Sequence, residues 1–232
     1  MSRREELTRR LQAVEERLAR ACAAAGRERA EVTLVAVTKT FPAADVRLLA
    51  DLGIRHVGEN RDQEAAGKAA ACSGLPLTWH FVGQLQRNKA HSVATYAFVV
   101  HSVDRARLVP ALDRAAQAAG HPIDAFVQVD LDLQPEPGRG GAPPAEVAAL
   151  ADAVVTASHL RLAGLMAVAP AADDPVSAFA RLGELAAALR ADHPGATWLS
   201  AGMSGDLEAA VAAGATHVRV GSALLGSRPP LR

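Results

Sequence analysis

The sequence predicts an α/β fold, a single-domain (β/α)8 barrel with an extra helix ahead of its first strand. Three observations predict it. Short Val/Leu-rich runs of strand length alternate with Ala/Leu/Arg runs of helical spacing. Eight such strand runs occur, nearly every one followed by a helix, and this alternation calls for right-handed crossovers and a parallel sheet. The length of 232 residues just accommodates a barrel, which runs to roughly 250 residues. An open doubly wound sheet with one or two short strands miscounted is the competing architecture.

The opening stretch, MSRREELTRRLQAVEERLARACAAAG, reads as a charged amphipathic helix and lacks the apolar region of a secretory signal. It is expected to pack across the barrel. Strands are predicted at Val32–Thr38, Ile54–Val57, Leu77–Val82, Ala97–Val103, Ile123–Leu131, Leu160–Val168, Thr197–Ser200 and His217–Val220. Helices are predicted near Ala43–Leu52, Glu59–Ala71, Arg87–Thr95, Asp104–Ala119, Pro144–Ala157, Pro175–Ala191 and Ser204–Ala213. Gln134–Pro144 (QPEPGRGGAPP) has the composition of a long βα loop and not of a linker, so residues 1–232 are read as one domain.

Composition removes several function classes. Hydrophobic residues make up 50% of the chain, enough for a sizeable core. Lys+Arg and Asp+Glu both number 25, which leaves no footprint for nucleic acid or an anionic membrane. No run approaches eighteen apolar residues, so no membrane span is expected. Cys22 and Cys72 are too few for a disulfide framework and too far apart for a redox or zinc pair, and the expected compartment is the cytoplasm.

Of the 25 basic residues only three are lysines: Lys39, Lys68 and Lys89. Lys68 and Lys89 sit in polar helical contexts and read as solvated charges. Lys39 ends the first strand, VTLVAVTKTFP, where period-two alternation puts it on the face of Val35 and Val37. In a barrel, chemistry gathers at such strand ends. Two readings stand: a lysine snorkelling to the rim, or one whose pKa is lowered by apolar surroundings and which forms a Schiff base with a carbonyl.

The last strand, THVRVGSALLGSR, turns His217, Arg219 and Gly221 inward by the same alternation. An inward guanidinium must find an acceptor, and an ion pair with Asp130 or Asp132 is the plain structural reading. Gly221-Ser222 open the final turn; Ser200 ends strand seven, and Gly202, Met203 and Ser204 form the turn after it. Loops after strands seven and eight form the habitual phosphate cradle of this fold. A lysine for an aldehyde, an inward arginine and a phosphate cradle together describe pyridoxal 5′-phosphate.

The motifs AVTKTFP (Ala36–Pro42), GENRDQE (Gly58–Glu64), WHFVGQLQRNK (Trp79–Lys89) and HSVD (His101–Asp104) carry a family resemblance. So do GLM (Gly164–Met166), LSAGMSGDLEAAVAAG (Leu199–Gly214) and VRVGSALLG (Val218–Gly226). On these the chain resembles the YggS/PROSC family of pyridoxal-phosphate-binding homeostasis proteins over most of its length. The resemblance implies a barrel similar to the N-terminal domain of alanine racemase, and a carrier or buffer in vitamin B6 homeostasis. It implies Lys39 as the Schiff-base lysine and Arg219 as partner of the pyridine nitrogen. Ser200, Ser204, Gly221 and Ser222 would hold the phosphate, and Asn60 and Met203 would line the ring. His80 points inward, to the cofactor or to the core. Apo-enzymes that need the cofactor are the implied partners.

The chain departs from its relatives at Gly138-Arg139-Gly140-Gly141, where they carry a Ser-Lys-x-Gly turn, and at Ser222, where they often carry Thr. An always-cationic arginine at the ring nitrogen weakens the cofactor as an electron sink. The single tyrosine, Tyr96, falls beside a helix before strand four, away from the place of a second catalytic base. Both favour a binder over an enzyme. A racemase-like enzyme, or an aldolase recruiting Asp130 and Asp132 beside Lys39, is the alternative, and a ligand-free interaction barrel a third.

Overall fold

A computed structural model describes residues 1–133 and 140–227. Helix α1 (Arg3–Ala24) is followed by β1 (Thr33–Val37), α2 (Ala43–Asp51), β2 (His56–Glu59), α3 (Asp62–Ala71), β3 (Thr78–Phe81) and α4 (Ala90–Ala94). Then come β4 (Val99–Val103), α5 (Val109–Ala119), β5 (Ile123–Gln128), α6 (Val147–Thr156), β6 (Leu160–Met166) and α7 (Pro175–Asp192). The order ends with β7 (Trp198–Ser200), α8 (Leu207–Ala212), β8 (His217–Val220) and the one-turn α9 (Ser222–Leu225). The eight strands close in sequence order, all parallel, and β8 pairs with β1 through Val35 opposite Arg219. The closed barrel removes both sheet edges, so the open-sheet alternative falls.

Eight strands and their helices lie where the periodicity puts them, with differences at the ends. Strand β5 stops at Gln128: the Val129 amide still donates to Met166 O of β6, but the amide of Asp130 bonds instead to Ala142 O. Helix α3 starts at Asp62, after Glu59 has completed β2 and Asn60 has turned the chain. Helix α8 starts at Leu207, three residues later than expected, since Asp206 Oδ1 accepts the Met203 amide at 2.5 Å and holds Met203–Asp206 as a turn. Single 3-10 turns, Arg87–Lys89, Ala106–Leu108 and Pro144–Glu146, replace the first turns of three expected helices.

Helix α1 does not lie across the barrel. It packs against the outer layer, on α8, α9 and α2. A capping box starts it: Ser2 Oγ accepts from the Glu5 amide, and Glu5 returns a bond to the Ser2 amide. Leu7, Val14, Leu18 and Cys22 make its buried stripe. Arg3 reaches Asp45 and Leu225 O, and Arg17 is bidentate to Glu208, so charged ends register the helix on its neighbours.

Two cores result. The larger lies between strands and helices. The smaller fills the barrel with Val99, Phe126, Ala163 and Met166, backed by Trp198. Four inward histidines, His56, His80, His101 and His217, complete that inner core where branched aliphatics are usual. Among the described residues no helix is long and apolar enough to cross a membrane.

Candidate functional site

The C-terminal ends of the strands open onto a cavity of about 470 Å³. Small-molecule sites span roughly 300–1,000 Å³. Val37 ends β1 inside the barrel: a Cβ on the inward Gly58 would stand 3.5 Å from Val37 Cγ2 and 3.1 Å from Val35 Cγ1. Two residues on, Lys39 lines the cavity beside Phe41. Asn60, just past β2, lines it too, and its backbone is locked by Gly83, where a Cβ would stand 2.1 Å from Asn60 O.

The turn carrying Lys39 is clamped from behind. Thr40 has φ +70°, a left-handed conformation that is costly for a β-branched residue. Its amide donates to Glu64 Oε1 at 2.5 Å. The Lys68 ammonium donates to Thr38 O and Glu59 Oε1, each at 2.7 Å, and pairs with Glu64 Oε1 at 2.6 Å. Burial pushes the Glu59 carboxyl up, and the Lys68 and Thr38 bonds work against that rise. Lys68 is therefore not the solvated charge its polar context suggested. The signal available was the GENRDQE motif followed by Lys68 four residues after Glu64. Lys89 is half-exposed, 3.7 Å from Asp62.

Arg219 enters from β8, 5% exposed, and lines the cavity floor. Its acceptors are neutral: NH1 donates to Ser200 Oγ at 2.6 Å and NH2 to Ala167 O at 2.8 Å. Among the described residues no carboxylate pairs with it, so the alternative, an internal ion pair with Asp130 or Asp132, is not formed. Those two line a separate cavity with Arg181 and Glu184. Desolvation lowers the guanidinium pKa to about 10, with Asp206 working the other way.

Met203, Ser204 and Gly205 after β7, and Gly221 and Ser222 after β8, complete the lining. The two turns are tied together, since Ser204 Oγ accepts the Ala223 amide at 3.3 Å. Among the described residues the amides of Ser204, Gly205 and Ser222 have no intramolecular acceptor. Unpartnered amides beside two hydroxyls suit an anion.

Seven of the expected site residues thus share one cavity, and Ser200 does not. It is fully buried beneath the floor, its Oγ shared between Arg219 and His101. The short β7 ends at Ser200 with its side chain inward, one layer below the turn. His80 also lies below, between His56 and His101, and fills the core. Tyr96 is buried against Trp79, 3.5 Å from Asp62. Residues 138 and 139 of the departing turn lie outside the described residues, while Gly140 O accepts from the Gln128 amide.

The family pattern of the alanine racemase N-terminal domain matches residues 10–229. A Mycobacterium bovis protein named pyridoxal phosphate homeostasis protein is 46% identical, over 97% of this chain and 94% of its own. The chain belongs to the pyridoxal phosphate homeostasis protein family. PipY of Synechococcus elongatus, solved with pyridoxal phosphate bound, superposes with a TM-score of 0.82 at 37% identity. That match covers 95% of this chain and 100% of PipY. Alanine racemase of Streptomyces coelicolor shares the fold alone, with a TM-score of 0.72 at 23% identity, and this chain spans 59% of it.

Proposed function

We propose that the cavity holds pyridoxal 5′-phosphate, attached to Lys39, and that the protein carries and buffers the cofactor in vitamin B6 homeostasis. One observation carries the reading: a lysine, an arginine with neutral partners and two Ser/Gly turns converge on one cavity of suitable size. The cofactor supplies an aldehyde that condenses with an amine, releasing water, and an electron-withdrawing ring. Lys39 takes the aldehyde end, held at the edge of the cavity by the Glu64–Lys68 clamp. Ser204, Gly221, Ser222 and the unpartnered amides hold the phosphate. Asn60 and Met203 border the ring, and Arg219 donates to its nitrogen. Ser200 acts one step back, as an acceptor that orients Arg219.

A carrier fits these residues better than an enzyme. A donor that stays cationic keeps the ring nitrogen unprotonated, which weakens the ring as a sink for electrons. Tyr96 is buried against Asp62, far from use as a second base. The carboxylates Asp130 and Asp132, which an aldolase would want beside Lys39, face another cavity. Val168 and Met203, exposed at the rim, leave the ligand within reach of an apo-enzyme that receives it. Two buried free thiols, Cys22 and Cys72, suit a reducing cytoplasm.

Borohydride reduction of the cofactor-loaded protein, followed by peptide mass mapping, tests the site. The adduct is expected on Lys39, and Lys39→Ala loses the absorption band of the lysine-linked cofactor while keeping weaker, phosphate-anchored binding. An adduct on Lys68 or Lys89 sinks the assignment. Racemisation of alanine at an enzyme-like rate would replace the carrier with a catalyst.

A further inference from the structure

A column of three histidines runs up the inside of the barrel to Arg219. His56 Nδ1 lies 2.9 Å from His80 Nε2, and His80 Nδ1 lies 2.8 Å from His101 Nε2. His101 Nδ1 lies 2.9 Å from Ser200 Oγ, which accepts from Arg219 NH1 at 2.6 Å. His80, His101 and Ser200 are buried, whereas His56 opens β2 at the far end of the barrel and is part-exposed. Phe126 stacks on His101 with ring centres 4.5 Å apart. The other titratable groups facing the column are His217, whose Nδ1 bonds to Thr216 Oγ1, and Arg219.

Burial holds all three imidazoles below their ordinary pKa, His80 and His101 well below it. A neutral imidazole has one N–H, and each N···N contact needs one proton. The three rings must therefore all point their protons the same way. Ser200 decides the direction. Arginine has no lone pair to offer, so Ser200 Oγ accepts from Arg219, and its own proton goes to His101 Nδ1. Otherwise a buried hydroxyl proton would lack an acceptor, at a cost of about 1–3 kcal/mol. His101 then donates from Nε2 to His80, and His80 donates from Nε2 to His56.

We propose that this column is a positioning device: a one-way hydrogen-bond chain that makes Ser200 a strong neutral acceptor and aims Arg219 at the ligand's ring nitrogen. Each donor in such a chain strengthens the next acceptor. A carboxylate could also orient the guanidinium, but it would cancel the positive charge facing the ligand. The neutral column orients it and leaves the charge. The inference rests on the cofactor reading of the cavity.

The test has an arm that needs no cofactor. Imidazole ¹⁵N NMR of the cofactor-free protein should show His80 and His101 as neutral Nε2–H tautomers, unchanged between about pH 5.5 and 8. Titration of either ring in that range, or an Nδ1–H tautomer at His101, overturns the column. The second arm compares cofactor-loaded His101→Asn and His101→Gln. Asparagine places its amide near the Nδ1 position and keeps the bond to Ser200; glutamine reaches the Nε2 position and leaves Ser200 without its partner. Both remove the same ring from the core. Glutamine should shift the visible band, as Arg219→Gln does, and weaken cofactor binding roughly three- to tenfold. Asparagine should keep the wild-type band. A normal wild-type band with indistinguishable Asn and Gln variants overturns the column alone. A wild-type protein with no visible band overturns the cofactor reading and the ring-nitrogen role with it. Should either variant fail to fold, Ser200→Ala removes one oxygen and leaves the rings; an unaltered band there also overturns the proposal.

Discussion

Arg219 and the serines above it do different work, though period-two alternation and turn composition drew them into one group. Alternation places Arg219 inward without ambiguity, because Val218 and Val220 must face the helices. It cannot say how deep an inward side chain sits, and the family resemblance groups Ser200 with Ser204 at the anion. The structure separates them by a layer. Arg219→Glu should therefore alter the visible spectrum of the loaded protein, since a carboxylate at the ring nitrogen favours its protonation. An unchanged spectrum and unchanged affinity would make Arg219 purely structural. Ser222→Ala removes a hydroxyl worth roughly 1.5–3 kcal/mol to a charged partner, so binding of the phosphorylated cofactor should weaken by about tenfold or more. Binding of unphosphorylated pyridoxal should barely move, and equal losses for both ligands would remove the phosphate assignment. Ser204→Ala should cost more, because it also frees the Ala223 amide.

At the scale of the elements, strand and helix positions were legible because each side of a barrel strand faces a dry core, giving runs of Val and Leu that few loops mimic. Ends were less legible. Glu59 reads as the polar start of a helix, yet it completes β2, because its charge is met by Lys68 from α3, a partner nine residues away. Glycines test the register. A Cβ at Gly164 in β6 would stand 1.8 Å from Trp198 O of β7, at φ +149°. Gly164→Ala should force these strands apart and lower the unfolding free energy, read from urea titration, by several kcal/mol, on the order of the largest single-site losses. Gly67 in α3 has nothing within 4 Å of its Cβ position, so Gly67→Ala should stabilise by about 0.5–1 kcal/mol. Equal effects of the two substitutions would mean that the tight β6–β7 approach is not rigid.

For the molecule as a whole, the histidine-filled barrel makes stability depend on pH. Burial lowers His217 to about 3, and His80 and His101 fall well below their ordinary 6.5. In the unfolded chain these rings bind protons near pH 6.5, while in the folded chain they do not. Their contribution is therefore complete above pH 6.5 and is lost as pH falls below it, by about 2 kcal/mol for His217 at pH 5, with His80 and His101 acting in the same direction. Glu59, raised by burial, acts in the opposite sense and offsets part of one ring. Urea midpoints should drop between pH 7 and about 5, and a flat profile would show that the rings are charged or solvated in the folded state. The sequence by itself determined the barrel, its eight strands and the inward residues Lys39 and Arg219, because hydrophobic period and strand order are local properties of the chain. Only the tertiary structure decided what stands behind them. The Glu59–Glu64–Lys68 clamp, the His56–His80–His101 column and the burial of Ser200 join residues from separate strands, turns and helices, and their hydrogen bonds depend on barrel closure. Local periodicity gives a side chain's face; depth and partners come from the way the sheet curls on itself.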